Sequence, residues 1–284
     1  MKPASFSITR AQSIEQVLDL LQTHPDGAKI IAGGQSLVPT LNMRLSAPEL
    51  LIDISSLNEL KGIELVGEQL HIGALTRHVD LQTSELVRQH LPLIALAIDH
   101  VAHAAIRNRG TIGGNLSLAD PASELPACAL ALDAEFNIAG REGPRSVKAR
   151  DYFIDLYETE LQAGEILTSI SFPIANANTV CGFREFVRRR GDFASTGLVI
   201  NAEFSSGQFD SISPVFFAIA NKPIRAGMSA EILTGKKLDE KLIEEALQGL
   251  EQELEIIGDI HTSEDMKLHL AKHYFREILQ DINE

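Results

Sequence analysis

At 284 residues the chain is long enough to bury a substantial core, and at ~100–200 residues per domain it predicts two domains. Its formal charge of -14 excludes the basic footprint that nucleic-acid binding needs, and no apolar run approaches the ~20 residues of a membrane helix. The opening Met1-Lys2-Pro3-Ala4-Ser5 lacks the apolar stretch of a signal peptide, so the cytoplasm is the expected location. Cys128 and Cys181, in no paired motif, are too few for a four-cysteine iron–sulfur or zinc site and read as buried apolar residues.

Ser13-x-x-Gln16 has the form of a capping box, and Ile14, Val17, Leu18 and Leu21 follow it at helical spacing. Pro25-Asp26-Gly27 predicts a turn. Lys29 to Ala32 reads as a short strand running into Gly33-Gly34-Gln35-Ser36, and Leu50 to Ile54 as another. A hairpin follows, Ile63 to Val66 and Leu70 to Gly73, around Gly67-Glu68. Pro92 to about His103 predicts a helix, residues 105–110 a loop, Ala122 to Leu132 a helix, and Glu135 to Ala139 and Ile166 to Phe172 strands. The small polar stretch 175–178 is the expected domain boundary. Beyond it stand three β-rich runs, Phe183 to Arg189, Gly197 to Phe204 and Ile212 to Ala220. Two amphipathic helices, Asp239 to about Leu254 and Ser263 to about Leu279, close the chain. These elements predict an α+β protein whose C-terminal part is a small antiparallel sheet packed by helices.

The informative feature is a pair of glycine dipeptides, each at the end of an apolar strand-like run: Ala32-Gly33-Gly34-Gln35-Ser36 and Thr111-Ile112-Gly113-Gly114-Asn115. Glycine permits positive φ and close backbone approach, and consecutive free N–H groups form an anion-binding concavity. Two such loops facing one another suit a dinucleotide, with Ser36, Thr111 and Asn115 reaching phosphate or ribityl oxygens. The bland alternative is that each pair makes a tight turn. Neither is a Rossmann GxGxxG or Walker loop.

Residues 31–37 (IAGGQSL) and 106–115 (IRNRGTIGGN) resemble the two FAD signatures of the flavoprotein subunits of molybdenum hydroxylases. That family includes the medium subunits of carbon monoxide dehydrogenase and of quinoline and nicotine hydroxylating enzymes, with xanthine dehydrogenase as a relative. The resemblance covers nearly the whole chain. It implies a two-subdomain α/β FAD-binding domain of the PCMH type at 1–177, with subdomains of about 1–57 and 58–177, then a C-terminal domain at 178–284. It further implies that Ile30, Ile31, Ala32, Gly33, Gly34, Gln35, Ser36 and Leu37 wrap the FAD pyrophosphate, while Thr111, Gly113, Gly114 and Asn115 hold its other flank. Lys29 would add charge or lie in solvent. Glu124 matches an acidic position on the cofactor, where a carboxylate accepts from hydroxyls; the alternative is charge complementing a helix N-terminus. Asp120 is a weaker candidate, or a cap for that helix.

Resemblance also places Arg184 and Leu167 near the flavin and lays the segment from Arg188 through Asp192 and Phe193 to Ala194 beside its ring. The alternative for Arg188 to Arg190 is an exposed basic run. Phe193 stands where some relatives carry a tyrosine, and Val101 where xanthine dehydrogenase relatives stack an aromatic ring. His100 and His103, at i and i+3, read as surface or interface packing, because a metal would need a third ligand.

The family's chemistry inserts oxygen from water into a C–H bond and sends two electrons through iron–sulfur clusters to FAD. This chain has no recognisable molybdenum site, so resemblance implies a large molybdopterin-binding subunit and a small subunit with two 2Fe–2S clusters, arranged as a dimer of heterotrimers. It implies an oxidoreductase subunit that hands electrons to an external acceptor, with a lean towards an N-heteroaromatic substrate. A carbon monoxide dehydrogenase medium subunit, a self-contained flavin dehydrogenase or oxidase, and a module whose glycine pairs are mere turns are the competing readings. Nucleotide-sugar reductases of the murein pathway share a related FAD domain.

Overall fold

The computed structural model describes residues 2–284. The N-terminal part alternates β1 (Ser7–Arg10), α1 (Ile14–Thr23), β2 (Ala28–Ile31), α2 (Leu37–Asn42) and β3 (Leu50–Asp53). The strands form a parallel sheet in the order β1-β3-β2. The N-cap half of the expected capping box holds, Ser13 Oγ accepting from Gln16 N at 3.2 Å; the return bond differs, Gln16 Oε1 accepting from Gln12 N at 2.8 Å rather than from Ser13 N. Val17 and Leu18 then face a core shared with Leu50, Ile52 and Ile54.

Next come β4 (Ile63–Val66), β5 (Gln69–Gly73), α3 (His78–Thr83), α4 (Glu85–His90), α5 (Pro92–Ala97), α6 (Ala104–Arg107), α7 (Ile112–Leu118) and α8 (Glu124–Ala131). After them follow β6 (Glu135–Gly140), β7 (Gly143–Lys148), α9 (Ala149–Tyr152), the small pair β8 (Phe153–Asp155) and β9 (Glu158–Thr159), and β10 (Ile166–Pro173). Five strands form an antiparallel sheet ordered β4-β5-β10-β6-β7. The helix expected from Pro92 to His103 stops at Ala97, because the backbone turns and Ala102 takes a left-handed φ of 48°. Arg107 holds that turn, donating from Nη1 to the Val101 and Ala102 carbonyls at 3.0 and 2.9 Å.

The C-terminal part contains β11 (Thr179–Phe186), β12 (Thr196–Ser205), β13 (Gln208–Phe217), β14 (Ile224–Arg225), α10 (Gly227–Leu233), α11 (Glu240–Glu253) and α12 (Glu264–Asn283). Its strands form one antiparallel sheet in the order β11-β12-β13-β14. Leu198, Ile200, Phe209 and Phe216 pack on Ala246, Leu250, Phe275 and Ile278 of the closing helices. Phe183, Val199, Val215 and Phe217 on the other face join the core of the middle sheet and helices α5 and α8. This explains why Leu198-Val199-Ile200 is a continuous apolar run rather than an alternating one: both faces are covered. The buried Lys267 ties the end of β13 to α12, donating to the Ala218 carbonyl at 2.8 Å and pairing with Asp259 at 2.9 Å.

Candidate functional site

The first glycine motif leaves β2 and enters α2. Gly34 has φ +72°, in the region that disfavours side chains, so the chain reverses there. Gln35 Nε2 donates back to the Gly33 carbonyl at 3.1 Å, tightening the bend. Among the described residues no protein acceptor takes the backbone N–H of Gly33, Gly34, Gln35 or Ser36. Half-buried amides are normally paired, so a run of free donors such as this is chemically suited to an anion.

The second motif has a different geometry from the one expected. Gly113 and Gly114 lie inside the first turn of α7, not at a strand end, with Thr111 as N-cap. Every donor there is used. Ile112 N bonds the Thr76 carbonyl and Gly113 N the Ala74 carbonyl, both at 2.9 Å; Gly114 N bonds Thr111 Oγ1 at 3.1 Å, and Asn115 N the Thr111 carbonyl at 3.0 Å. The expectation of bare amides in both loops is therefore corrected: the helix cap consumes those of the second. Its glycines serve close approach instead. A Cβ on Gly113 would stand 2.5 Å from that of Ala74. What this segment offers outward is the exposed Gly114 and the half-buried Asn115 amide, which exchanges hydrogen bonds with Ser123 Oγ at 2.8 and 3.2 Å; Thr111 is buried.

The two motifs meet. A Cβ on Gly33 would lie 2.1 Å from the Arg109 carbonyl oxygen and 2.9 Å from the Gly110 Cα, and one on Gly114 would lie 4.0 Å from the Ala32 Cβ. Loop packs on loop, and the free amides of residues 33–36 sit beside the outward face of 111–115. Behind them His78 is buried against Gly110 with neither ring nitrogen hydrogen-bonded. Burial, with the nearby Arg107 charge, pushes its imidazole down to about 4, so the ring is neutral. His78 carried no sequence signal; only its place under the loop singles it out.

One residue beyond Ser123 lies Glu124 at the start of α8, buried to 6% exposure. Burial, reinforced by the charges of Glu185 and Asp120, pushes its carboxyl up to about 8, so it is mostly protonated at neutral pH. Asp120 does not cap α8, whose N-cap is Ser123 without a side-chain cap bond; it accepts from Ala122 N at 3.0 Å in the turn before the helix and from the Tyr157 hydroxyl at 3.2 Å. Leu167 is buried at a bulge in β10, next to Thr168, whose carbonyl accepts from Ala74 N at 2.9 Å. Its backbone thus belongs to the ladder that carries Gly113.

Other expected residues stand differently. Val101 is buried in the core. Arg184 is not a free cation: it pairs with Glu277 and Asp281 on α12 and donates to the Phe183 carbonyl. Asp192 lies 4.0 Å from Arg188, while Phe193 is 70% exposed at the tip of the β11–β12 connection. That connection rests on the segment after α5, since Gly191 abuts the His103 ring. His100 and His103 are both packed against neighbours, His100 bonding Glu185. Among the described residues no three His, Cys, Asp or Glu side chains are grouped to hold a metal ion.

The chain that carries this site is similar to known proteins along its length. The model of the FAD binding domain in molybdopterin dehydrogenase matches residues 4–175, and that of the CO dehydrogenase flavoprotein C-terminal domain matches residues 182–282. These define a class of FAD-binding oxidoreductase chains. The chain belongs to the flavoprotein (medium) subunits of the molybdenum hydroxylase family. It is 36% identical to the 6-hydroxypseudooxynicotine dehydrogenase complex subunit alpha of Paenarthrobacter nicotinovorans, over 96% of this chain and 92% of that one. It superposes on a chain of carbon monoxide dehydrogenase from Hydrogenophaga pseudoflava with a TM-score of 0.96 at 32% identity, covering 99% and 98% of the two chains. Against quinoline 2-oxidoreductase from Pseudomonas putida 86 the TM-score is 0.94 at 35% identity, covering 100% and 98%.

Proposed function

We propose that this chain carries FAD as the electron-transfer subunit of a molybdenum hydroxylase, taking electrons from 2Fe–2S clusters of a small partner and passing them to an external acceptor. Hydroxylation of the substrate, of the N-heteroaromatic kind, belongs to a large molybdopterin-binding partner, and the assembly is a dimer of heterotrimers in the cytoplasm. The reading divides the chain into an FAD-binding domain at 1–177, with subdomains of about 1–57 and 58–177, and a C-terminal domain at 178–284.

The observation that carries this reading is the run of unpaired N–H groups at Gly33 to Ser36, lying against the second motif. Amides fixed by the Gly34 reversal would hold the pyrophosphate, with Ile30 to Ala32 and Leu37 forming the walls. The Thr111 hydroxyl, the open face of Gly114 and the free N–H of the Asn115 amide would take its other flank. Protonated Glu124 would donate to, as well as accept from, the cofactor's oxygens. Leu167 and Val101 would supply apolar packing, and Asp192 and Phe193 would flank the ring. Arg184, already neutralised by α12, would act through the docking of that helix rather than as a bare charge. Bound FAD supplies the exchange between single-electron and paired-electron transfer.

The test is flavin retention. Gly34→Val and Gly114→Val proteins should fold, judged by thermal unfolding, yet purify colourless. A double variant that stays yellow with stoichiometric FAD overturns the assignment.

A further inference from the structure

Three consecutive arginines, Arg188 to Arg190, stand exposed in the β11–β12 connection of a chain that holds 39 acidic residues against 25 basic ones. The other arginines of the C-terminal part find carboxylates: Arg184 pairs with Glu277 and Asp281, Arg225 with Asp133, and Arg276 with Glu240 and Glu244. Among the described residues the side chains of Arg189 and Arg190 reach no acceptor, and Arg188 has only Asp192 at 4.0 Å and His261 Nε2 at 3.5 Å. Asp259, two residues before His261, is spent on Lys267 at 2.9 Å and on the amides of His261 and Thr262 at 2.7 and 3.0 Å. The loop that carries the arginines is anchored. Ser195 N donates to the Phe186 carbonyl at 2.8 Å and Asp192 N to the Arg189 carbonyl at 2.9 Å, while Gly191, at φ +87°, lies against the His103 ring. Arg188, Arg189 and Asp192 line a depression of about 370 Å³, and Phe193 follows with 70% of its surface exposed.

We propose that the Arg188–Phe193 loop binds the diphosphate of a pyridine dinucleotide, which serves as the external electron acceptor. The role of acceptor rests on the reading that Asp192 and Phe193 flank the flavin; the binding of phosphate rests on the loop alone. Arginine suits phosphate because its planar fork donates two parallel hydrogen bonds to neighbouring oxygens. Guanidinium groups without a protein partner lose no ion pair when an anion arrives. The three arginines, set against Asp192, leave a surplus of two positive charges, which matches the two negative charges of a dinucleotide's diphosphate. The depression lies at the small end of the ~300–1,000 Å³ range of ligand sites, room for the phosphates with the rings reaching beyond it. Phe193 adds a flat, solvent-facing ring on which a base or pyridine can stack. The pyridine ring of such an acceptor takes a hydride, which is both electrons and one proton, and the reduced flavin's other proton goes to solvent.

The experiment titrates the FAD-loaded complex, whose own pyrophosphate seat is filled, with inorganic pyrophosphate and with NAD in a calorimeter. Wild type should bind both, NAD the more tightly. The double variant Arg188→Gln, Arg189→Gln should stay yellow and bind each about tenfold or more weakly. Added salt should weaken wild type more than that variant. Phe193→Ala should weaken NAD and leave pyrophosphate unchanged. Lys241→Gln, which removes an exposed cation on α11, should change neither. In a second measurement the photoreduced complex is mixed with NAD and its flavin absorbance followed. The arginine variant should need about tenfold more NAD for half-maximal reoxidation yet reach the wild-type rate at saturation, a split that a general loss of structure would not give. A yellow wild-type complex that ignores pyrophosphate, or an arginine variant that binds it as wild type does, overturns the phosphate site and leaves the flavoprotein reading standing. Pyrophosphate binding that depends on the arginines, with NAD neither bound nor reduced, overturns the dinucleotide acceptor. A colourless wild-type complex sinks the flavoprotein reading, and with it the role of acceptor.

Discussion

Replacing Gly33 with alanine tests the contact between the two loops at its tightest point. The new Cβ would stand 2.1 Å from the Arg109 carbonyl oxygen and 2.9 Å from the Gly110 Cα, both rigid backbone atoms. Ordinary packing needs roughly 3.3 Å or more between such atoms, so the loops must part by about 1 Å. Forced overpacking of this kind costs about 1–3 kcal/mol of stability. The ligand should feel it more sharply. A hydrogen bond to a charged oxygen contributes about 1.5–3 kcal/mol, so misplacing one free amide of residues 33–36 weakens FAD binding roughly ten- to hundred-fold. Titration of apoprotein with FAD by flavin fluorescence, beside thermal unfolding, measures both quantities. Gly227→Ala is the control, since a Cβ there meets nothing within 4 Å. A Gly33→Ala protein with the wild-type Tm and a Kd within twofold of wild type would refute the reasoning.

Three further outcomes are expected. His78 is held by burial down to about 4, below the ordinary imidazole value of 6.5, so the unfolded chain takes up the proton first; apoprotein stability should be full above pH 6.5 and fall by a few kcal/mol as pH drops towards 4, at about 1.4 kcal/mol per pH unit. In His78→Gln that acid limb, read as Tm against pH, should flatten. Glu124 behaves in the opposite sense: with its carboxyl pushed up to about 8, stability is full below pH 4.5 and is lost as pH rises through 8, so Glu124→Gln apoprotein should have the higher Tm at pH 9 and no such advantage at pH 4. Thr111→Val removes the cap of α7 and should lower stability by about 1 kcal/mol in urea unfolding, with a midpoint unchanged from wild type counting against the cap.

Local signals placed most elements. The Ser13 and Gln16 side chains, the Gly67-Glu68 turn, and the Asp239 and Ser263 N-caps each announce an element boundary through chemistry a few residues wide. β1 carries no local signal, because Ser7 to Arg10 is short and largely exposed and becomes a strand only by pairing with β3, some forty residues on. α2 was hidden by its Pro39 and six-residue length, and the early end of α5 by Arg107, whose hold on the Val101 and Ala102 carbonyls is a tertiary contact. The same division runs through the site. Both glycine motifs were legible, but Thr111-Ile112-Gly113-Gly114 gives no local clue whether its amides are free or spent, since their acceptors are Thr76 and Ala74.

By itself, then, the amino-acid order determined the class of protein through its resemblance to a known family, and the two glycine motifs and the helix-packed antiparallel sheet near the C-terminus, because these last depend on residue types at short spacing. Tertiary structure alone decided that free amides belong to residues 33–36 and not to 113–115, that Arg184 is spoken for by α12, and that His78, Glu185 and His100 stand where they do. Those outcomes turn on burial and on partners that arrive from remote parts of the chain. A side chain's charge and an amide's freedom are settled only when the last neighbour has been packed against it.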